Sequence, residues 1–389
     1  MQTQRCNSPT IEVICSGSAR EMGFAQGAEL RSKILASRKI LSELEAFRLQ
    51  RPWWLPYSTY RWLAERRASR YLSDALKQHS PNMSQRLSGI AEGAKLPLAT
   101  VCLFNAMEPL LSSVGGCTAC PSACSAVAVR GRRSKTGEPI LVRNFDYLPL
   151  VQPFYTLRDS RPADLLRSLE FTTAPLAGAV DGMNHKGLCI TYDYAFTADA
   201  SDVPAAPISM LISEALERCE TVAEAAAWIG GRPRCGGGLL MLADTTGDIA
   251  SLELSQTRSH LRRPESGQDV LFHTNAFSSE VMQAVEAPRN LVYTERAPAP
   301  LRGRRLHLSS ELRGGRFQQL LANETAFDEV SLGALMADHG SNGIADDFTP
   351  CVHGSYWYTT ACLQLFPRSR RMRVAYASAC EAQYAEFAL

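Results

Sequence analysis

The 389-residue chain has almost no charge of either sign in excess: 41 Lys and Arg stand against 39 Asp and Glu, a formal +2. So even a balance gives no basic field to hold nucleic acid or an anionic membrane surface. Small molecules are therefore the expected partners, with no nucleic acid and no membrane. Long apolar runs are missing too. The opening MQTQRCNSPTIEVICSG carries an arginine but no apolar run of signal length, and no later stretch approaches about 18 uninterrupted apolar residues. A cytoplasmic protein is expected. Internal repeats and low-complexity tracts are absent from the sequence. So is a disulfide framework, despite 12 cysteines. Cys102 in TVCLF, Cys189 in GLCIT and Cys362 in TACLQL lie in apolar runs, where a reduced thiol acts as a small buried hydrophobe.

What is present is a globular balance, 45% hydrophobic and 21% charged, which excludes disordered and fibrous classes. Residues 20 to 112 read as helical, with Leu30, Ile34, Leu41 and Leu44 at three- and four-residue spacing. The stretch SSVGGCTACPSA (112 to 123) then breaks regular structure at Gly115, Gly116 and Pro121. From residue 124 the pattern changes to short β-type runs at 125–130, 139–145, 187–194, 237–244, 248–254 and 270–275. Two helices are expected between 208 and 230, the second opened by a capping box at Thr221 and Glu224, and another pair near 309 to 338. Two last strands, WYTTACLQLF and MRVAYA, close an α+β layout.

The chemistry centres on Cys124, a cysteine at the junction between linker and strand. If the Ala123–Cys124 bond is cut, Cys124 gains an α-amine of reference pKa about 7.7–8.0, close to a thiol's at about 8.5. Nucleophile and base then belong to one residue, and no catalytic histidine is required. Cys117 and Cys120 remain alternatives for the scissile bond. Cys124 is preferred because Pro121 obstructs a strand running from Cys117, whereas strand-compatible residues follow Cys124. A metal knuckle is disfavoured, since only one CxxC is present. Asp338, His339, Cys351 and His353 are possible ligands, but they lie in Gly-rich turns with nothing to fix them on one face. The expectation is a structural role and no metal. His185 and His273 read as satisfied interior or surface residues.

Several motifs, in order, carry a resemblance. GSAREMGFAQGAELRSKI and LSGIAEGAKLPLATVCLFNAMEPL precede the cysteine; CSAVAV, RNFD, DGMNHKGLCITYD, FHTNAFSSE, SSELRGGRFQQLL and DHG…CVHG…TTACLQL follow it. Together they resemble the autoproteolytic isopenicillin-N (acyl-coenzyme A:6-aminopenicillanate) acyltransferases, peptidase family C45, which are related to bile salt and penicillin V hydrolases. The resemblance implies an N-terminal-nucleophile (Ntn) hydrolase fold: a four-layer αββα sandwich, formed as one structural domain by a front segment 1–123 and a nucleophile-bearing part 124–389. It implies that Cys124 cleaves before itself and then carries the acyl group, and that Asp146, 22 residues on, orients the new α-amine. Arg143 would stand beside the thiol, and Asn275 would donate to the oxyanion with a backbone N–H near Tyr192, Asp193 or Tyr194. Asn144 and Arg313, with Arg316 close behind, would support the site. No cofactor is implied, acyl-coenzyme A entering only as substrate. The implied reaction moves an acyl group from a thioester or amide to an amine, with amide hydrolysis as the alternative reaction and an uncleaved binding protein as a further one. The front segment would remain bound as a subunit. Arg-Asn-Phe-Asp replaces the penicillin enzyme's Gln-Asn-Trp-Asp, so penicillin chemistry is not assumed, and loops 147–166 and 195–207 are expected to set substrate choice.

Intact-mass measurement of the purified protein should give two species, residues 1–123 and 124–389. A fragment beginning at Cys117 or Cys120 would move the nucleophile, and one uncut mass would remove self-cleavage.

Overall fold

Strands buried on both faces must be covered by a layer on each. Ser125–Val129, Ile140–Tyr147 and Gly237–Ala243 are of this kind, buried along almost their whole length. The computed structural model, which describes residues 9–113, 123–201 and 203–389, meets that demand with four layers. Among the described residues, eight strands form one large sheet in the order Ile11–Gly17, Tyr155–Pro162, Ser168–Thr173, Asp181–Asn184, Cys189–Ala195, Gly237–Ala243, Ile249–Leu254 and Ser259–Arg262. Six more form the other, in the order Val270–His273, Ser125–Val129, Ile140–Tyr147, Tyr358–Phe366, Arg371–Ala375 and Ala385–Ala388. Cys117 and Cys120 lie outside the described residues.

Strand parity assigns each side chain to a layer. Cys124, Ala126, Ala128, Leu141 and Phe145 point between the sheets and meet Leu157, Leu169, Phe171 and Met241 of the eight-stranded sheet. Val127, Val129, Ile140 and Val142 take the opposite face, under Phe317, Leu321, Leu332 and Met336 of the helices Leu308–Asn323 and Glu329–Met336. On the far side, front-segment residues such as Ile34, Leu72 and Ile90 share a core with Leu240 and Leu252. The order is helices, sheet, sheet, helices, which is the αββα sandwich. No helix among the described residues is long and apolar enough to cross a membrane.

Several expectations need correction. The stretch 147–166 is not one loop: Pro149–Phe154 is a 3₁₀ turn and Tyr155–Pro162 is a strand inside the larger sheet. Its sequence hides this because Arg158 and Ser160 are buried polar residues whose partners come from other elements: Arg158 pairs with Glu170 at 2.6 Å, and Ser160 Oγ accepts from Arg86 Nη2 at 2.6 Å. Ile11–Gly17 and Ser168–Thr173 were not anticipated as strands, and a third closing strand, Ala385–Ala388, follows the two expected ones. The capping box at Thr221 is only half made. Thr221 Oγ1 accepts from the Glu224 N–H at 3.2 Å, but the Glu224 carboxylate accepts from the Glu220 N–H instead.

The front segment's two glycine motifs have one physical cause. Helices Ala19–Glu29 and Pro81–Ala94 cross at backbone contact, through Gly23 and Gly27 on one and Gly89 and Gly93 on the other. A Cβ on Gly23 would stand 2.1 Å from the Arg86 carbonyl oxygen, and one on Gly89 would stand 2.1 Å from that of Arg20. Both neighbours are backbone, so the helices would have to separate. Gly89→Ala is expected to destabilise the protein by about 1–3 kcal/mol in chemical denaturation. An unchanged midpoint would mean that this close approach contributes nothing.

Candidate active site

The hairpin formed by Ser125–Val129 and Ile140–Tyr147 places Ser125 opposite Asn144 and Ala126 opposite Arg143. Cys124 therefore precedes the strand beside the Arg143–Asp146 segment, and its inward parity directs the thiol to the space between the sheets. Arg143 is inward as well. Its Nη2 lies 3.1 Å from Cys124 Sγ and also donates to the Tyr192 carbonyl. From the facing sheet, Asp193 Oδ1 accepts from Arg143 Nε at 2.9 Å and Asp181 Oδ2 accepts from Nη1 at 2.6 Å. The aromatic face of Phe145 lies 4.7 Å from the guanidinium carbon.

Asp146 has the opposite parity and faces Arg313, which the helix Leu308–Asn323 brings in. Thr359 Oγ1 donates to Asp146 Oδ1 at 2.6 Å, next to a register shift in which Thr360 is the extra residue. Asp146 Oδ2 is buried with no hydrogen-bond partner among the described residues, 3.9 Å from Arg313 Nη1. The Asp146 carbonyl accepts from the Ala123 N–H at 3.2 Å. Arg313 in turn donates to the Cys124 carbonyl and Ser125 Oγ, both at 2.6 Å, and to Asn275 Oδ1 at 2.7 Å. Asn275 Nδ2 donates to the Tyr194 carbonyl at 2.8 Å; a side-chain amide nitrogen carries two N–H groups, so one is committed here.

Of the residues singled out in the sequence, Cys124, Arg143, Asp146, Asp193, Asn275 and Arg313 meet around one point. Tyr192 and Tyr194 join through their carbonyls. Asn144 turns away to the helical layer, where its Nδ2 donates to the Met336 and Pro350 carbonyls at 2.8 and 2.9 Å. Arg316 pairs with Asp338 at 2.7 Å, apart from this cluster. Asp181, Ser125 and Thr359 join the cluster without a local signal in the sequence; Asp181 lies in DGMN, and only the facing sheet reveals its partner.

Burial dominates the electrostatics. It pushes Asp181 up to about 6 against the pull of Arg143, Asp193 up to about 7 against the same cation, and Asp146 up to about 8 against Arg313. Burial also raises the Cys124 thiol, while Arg143 acts in the opposite direction. His273 is held well below its usual value by burial and by Arg262 and Arg143. It was expected to be satisfied, but only Nδ1 is, by Ser251 Oγ at 2.8 Å. Its Nε2 is buried without a hydrogen-bond partner, 3.5 Å from Asp193 Oδ2.

A cavity of about 160 Å³ opens beside Arg143. Its walls are mainly apolar: Leu41, Leu44, Phe104 and Met107 of the front segment face Phe145 and Phe154. Tyr192 and Glu108 add a polar pair, with Tyr192 Oη donating to Glu108 Oε1 at 2.5 Å. Burial holds the Glu108 carboxyl up at about 7, against the Tyr192 hydrogen bond.

No curated protein matches the chain. Among solved structures, similarity extends to an N-acylethanolamine-hydrolyzing acid amidase ortholog from Caenorhabditis elegans, at 14% identity over 68% of this chain and 100% of that one, TM-score 0.44. The penicillin V acylase of Agrobacterium tumefaciens is also similar, at 14% identity over 68% and 86%, TM-score 0.42. A mutant form of the conjugated bile acid hydrolase from Clostridium perfringens is similar at 12% identity over 68% and 97%, TM-score 0.37. Likenesses this distant bear on neither substrate nor mechanism. Residues 132–332 match the acyl-coenzyme A:6-aminopenicillanic acid acyl-transferase family; Arg143, Asp146, Asn275 and Arg313 fall inside the match, and Cys124 lies just before it. That match spans more than half of the 389 residues, so the chain belongs to the acyl-coenzyme A:6-aminopenicillanic acid acyl-transferase family.

Proposed function

We propose that this protein is a self-cleaving cysteine acyltransferase that moves an apolar acyl group from a thioester such as acyl-coenzyme A, or from an amide, to an amine through acyl-Cys124. The observation that carries this reading is the Arg143 Nη2 contact at 3.1 Å on a buried thiol at the start of an inward-facing strand.

In the uncut chain, Cys124 Sγ attacks the Ala123 carbonyl carbon. The C–S bond forms, the C–N bond breaks, and the thiol proton passes to the departing nitrogen. Water then opens the thioester, leaving an Ala123 carboxylate and a free thiol on Cys124. In the mature enzyme the α-amine accepts the thiol proton as sulfur attacks the donor carbonyl, and returns a proton to the leaving thiolate or amine. The acceptor amine next attacks the acyl-cysteine. Arg143 favours thiolate, and Asn275 donates to the developing oxyanion. The cavity suits an apolar acyl chain, and because the front segment supplies one wall, it is expected to remain bound after cleavage.

Charge balance supports the cut. Asp146, Asp181 and Asp193 are three buried carboxyls facing two buried guanidiniums, Arg143 and Arg313. One positive charge is lacking, and the α-amine of cut Cys124 supplies it when it takes up a proton. Without it, the cluster holds a proton instead.

Two experiments test this reading. Incubation with a medium- or long-chain acyl-coenzyme A should add one acyl mass to fragment 124–389, and an amine acceptor should discharge it as amide. Cys124→Ala should remain uncut and lose at least about 10³-fold in turnover, whereas release that ignores the amine would leave hydrolysis in place of transfer. The second concerns pH. In the uncut Cys124→Ala chain, Asp146 keeps a proton when folded that the unfolded chain releases above about pH 4. Stability from this group is full below that pH and is lost as pH rises towards about 8. Relative to the double variant with Asp146→Asn, the uncut chain should therefore weaken across that window in denaturant titrations. Parallel curves would contradict the proposed protonation.

A further inference from the structure

A second cluster lies outside the family match, behind Asp146. His339 follows the helix Glu329–Met336, Cys351 and His353 lie in the loop before the strand Tyr358–Phe366, and Cys380 lies in the turn Ala379–Glu381 between the last two strands. One ligand-capable atom from each falls within 4.8 Å of the others. Cys351 Sγ is 3.8 Å from Cys380 Sγ, His353 Nε2 is 3.4 Å from Cys351 Sγ, and it is 3.5 Å from Cys380 Sγ. Tetrahedral zinc with Zn–S of about 2.3 Å and Zn–N of about 2.0–2.1 Å requires S···S of about 3.8 Å and S···N of about 3.6 Å. The three observed separations are close to those of such a site. The two sulfurs are nearly twice as far apart as the roughly 2.05 Å of a disulfide.

The surroundings fit ligands better than isolated side chains. His339 Nε2 is buried with no hydrogen-bond partner among the described residues. His353 Nδ1 is 3.0 Å from Tyr358 Oη, which fixes the ring and leaves Nε2 for a metal. Asp338, grouped with these residues from the sequence, is taken by Arg316 at 2.7 Å, and Cys380 completes the set. Cys351 is buried and Cys380 is exposed, so an ion has a path in. We propose that His339, Cys351, His353 and Cys380 form a structural His₂Cys₂ site for zinc. Binding one Zn²⁺ displaces the two thiol protons, and two thiolates with two neutral imidazoles leave the centre uncharged.

The site would clamp a loop that touches the catalytic cluster from outside. Next to Cys351, the Pro350 carbonyl accepts from Asn144 Nδ2 at 2.9 Å, and the Val352 N–H donates to Thr359 Oγ1 at 2.8 Å. That same Thr359 hydroxyl donates to Asp146.

Elemental analysis of the purified, desalted full chain, after incubation with Zn²⁺, should find about one zinc per chain. Replacement by Co²⁺ should give the d–d bands of a tetrahedral ion together with thiolate-to-cobalt charge transfer. Cys380→Ser and His339→Asn, checked for folding by circular dichroism, should each bind zinc at least tenfold more weakly. Should either variant fail to fold, alkylation of the wild-type protein decides the matter: zinc must shield Cys351 and Cys380 from labelling, as read by peptide mass. A chain that stays metal-free, a cobalt spectrum without charge transfer, undiminished zinc in both folded variants, or labelling indifferent to zinc would each overturn the proposal.

Discussion

Burying a guanidinium between two apolar sheets costs several kcal/mol unless acceptors of opposite charge meet its hydrogens. Arg143 satisfies that condition only because both sheets contribute. Its own sheet supplies Cys124 Sγ, and the facing sheet supplies Asp181, Asp193 and the Tyr192 carbonyl. Sliding one sheet past the other would strand three charges in the core, and removing one partner of such a set typically costs about 3–5 kcal/mol. The alignment of the sheets and the placement of the thiol are thus fixed by one cation.

Strand parity divides the work around that cation. Odd-numbered positions on the central hairpin's second strand, Arg143 and Phe145, look towards the cavity and the facing sheet. The even-numbered Asn144 and Asp146 look towards the helical layer, where Met336 and Arg313 wait. Arg143 and Asp146 therefore lie on opposite sides of the strand that runs beside Cys124. The register shift at Thr360 adjoins Thr359, whose hydroxyl serves the second of these faces.

The front segment is bound to the rest by more than its covalent link. Ile11–Gly17 pairs in parallel with Tyr155–Pro162, and Gln26 Nε2 donates to the Ala174 and Leu176 carbonyls at 2.9 and 2.8 Å. Arg86 reaches Glu217 at 3.3 Å, and Arg158 Nη1 donates to Gln26 Oε1 at 2.8 Å. The helices that supply Gln26 and Arg86 lean on one another through the glycine crossing.

The sequence by itself determined the elements whose signal is local. Helices were legible from apolar periodicity, the central hairpin from β-type runs around SKTGEP, and the place of Cys124 just before a strand from the change to β-type residues after Pro121. Motif order added the sandwich and the residues Arg143, Asp146, Asn275 and Arg313. Tertiary structure alone decided whatever depends on partners far apart in the chain. Tyr155–Pro162 looked like a loop because its polar residues are satisfied only inside the sheet, and Asp181 had no evident role until it faced Arg143 across the core. His339, Cys351 and His353 lacked a common face in the sequence because the element that completes their set, the turn bearing Cys380, arrives after two further strands. The physical reason is the same in each case: a buried polar side chain is stable only with its partner, and the partner's identity is a property of the packed layers.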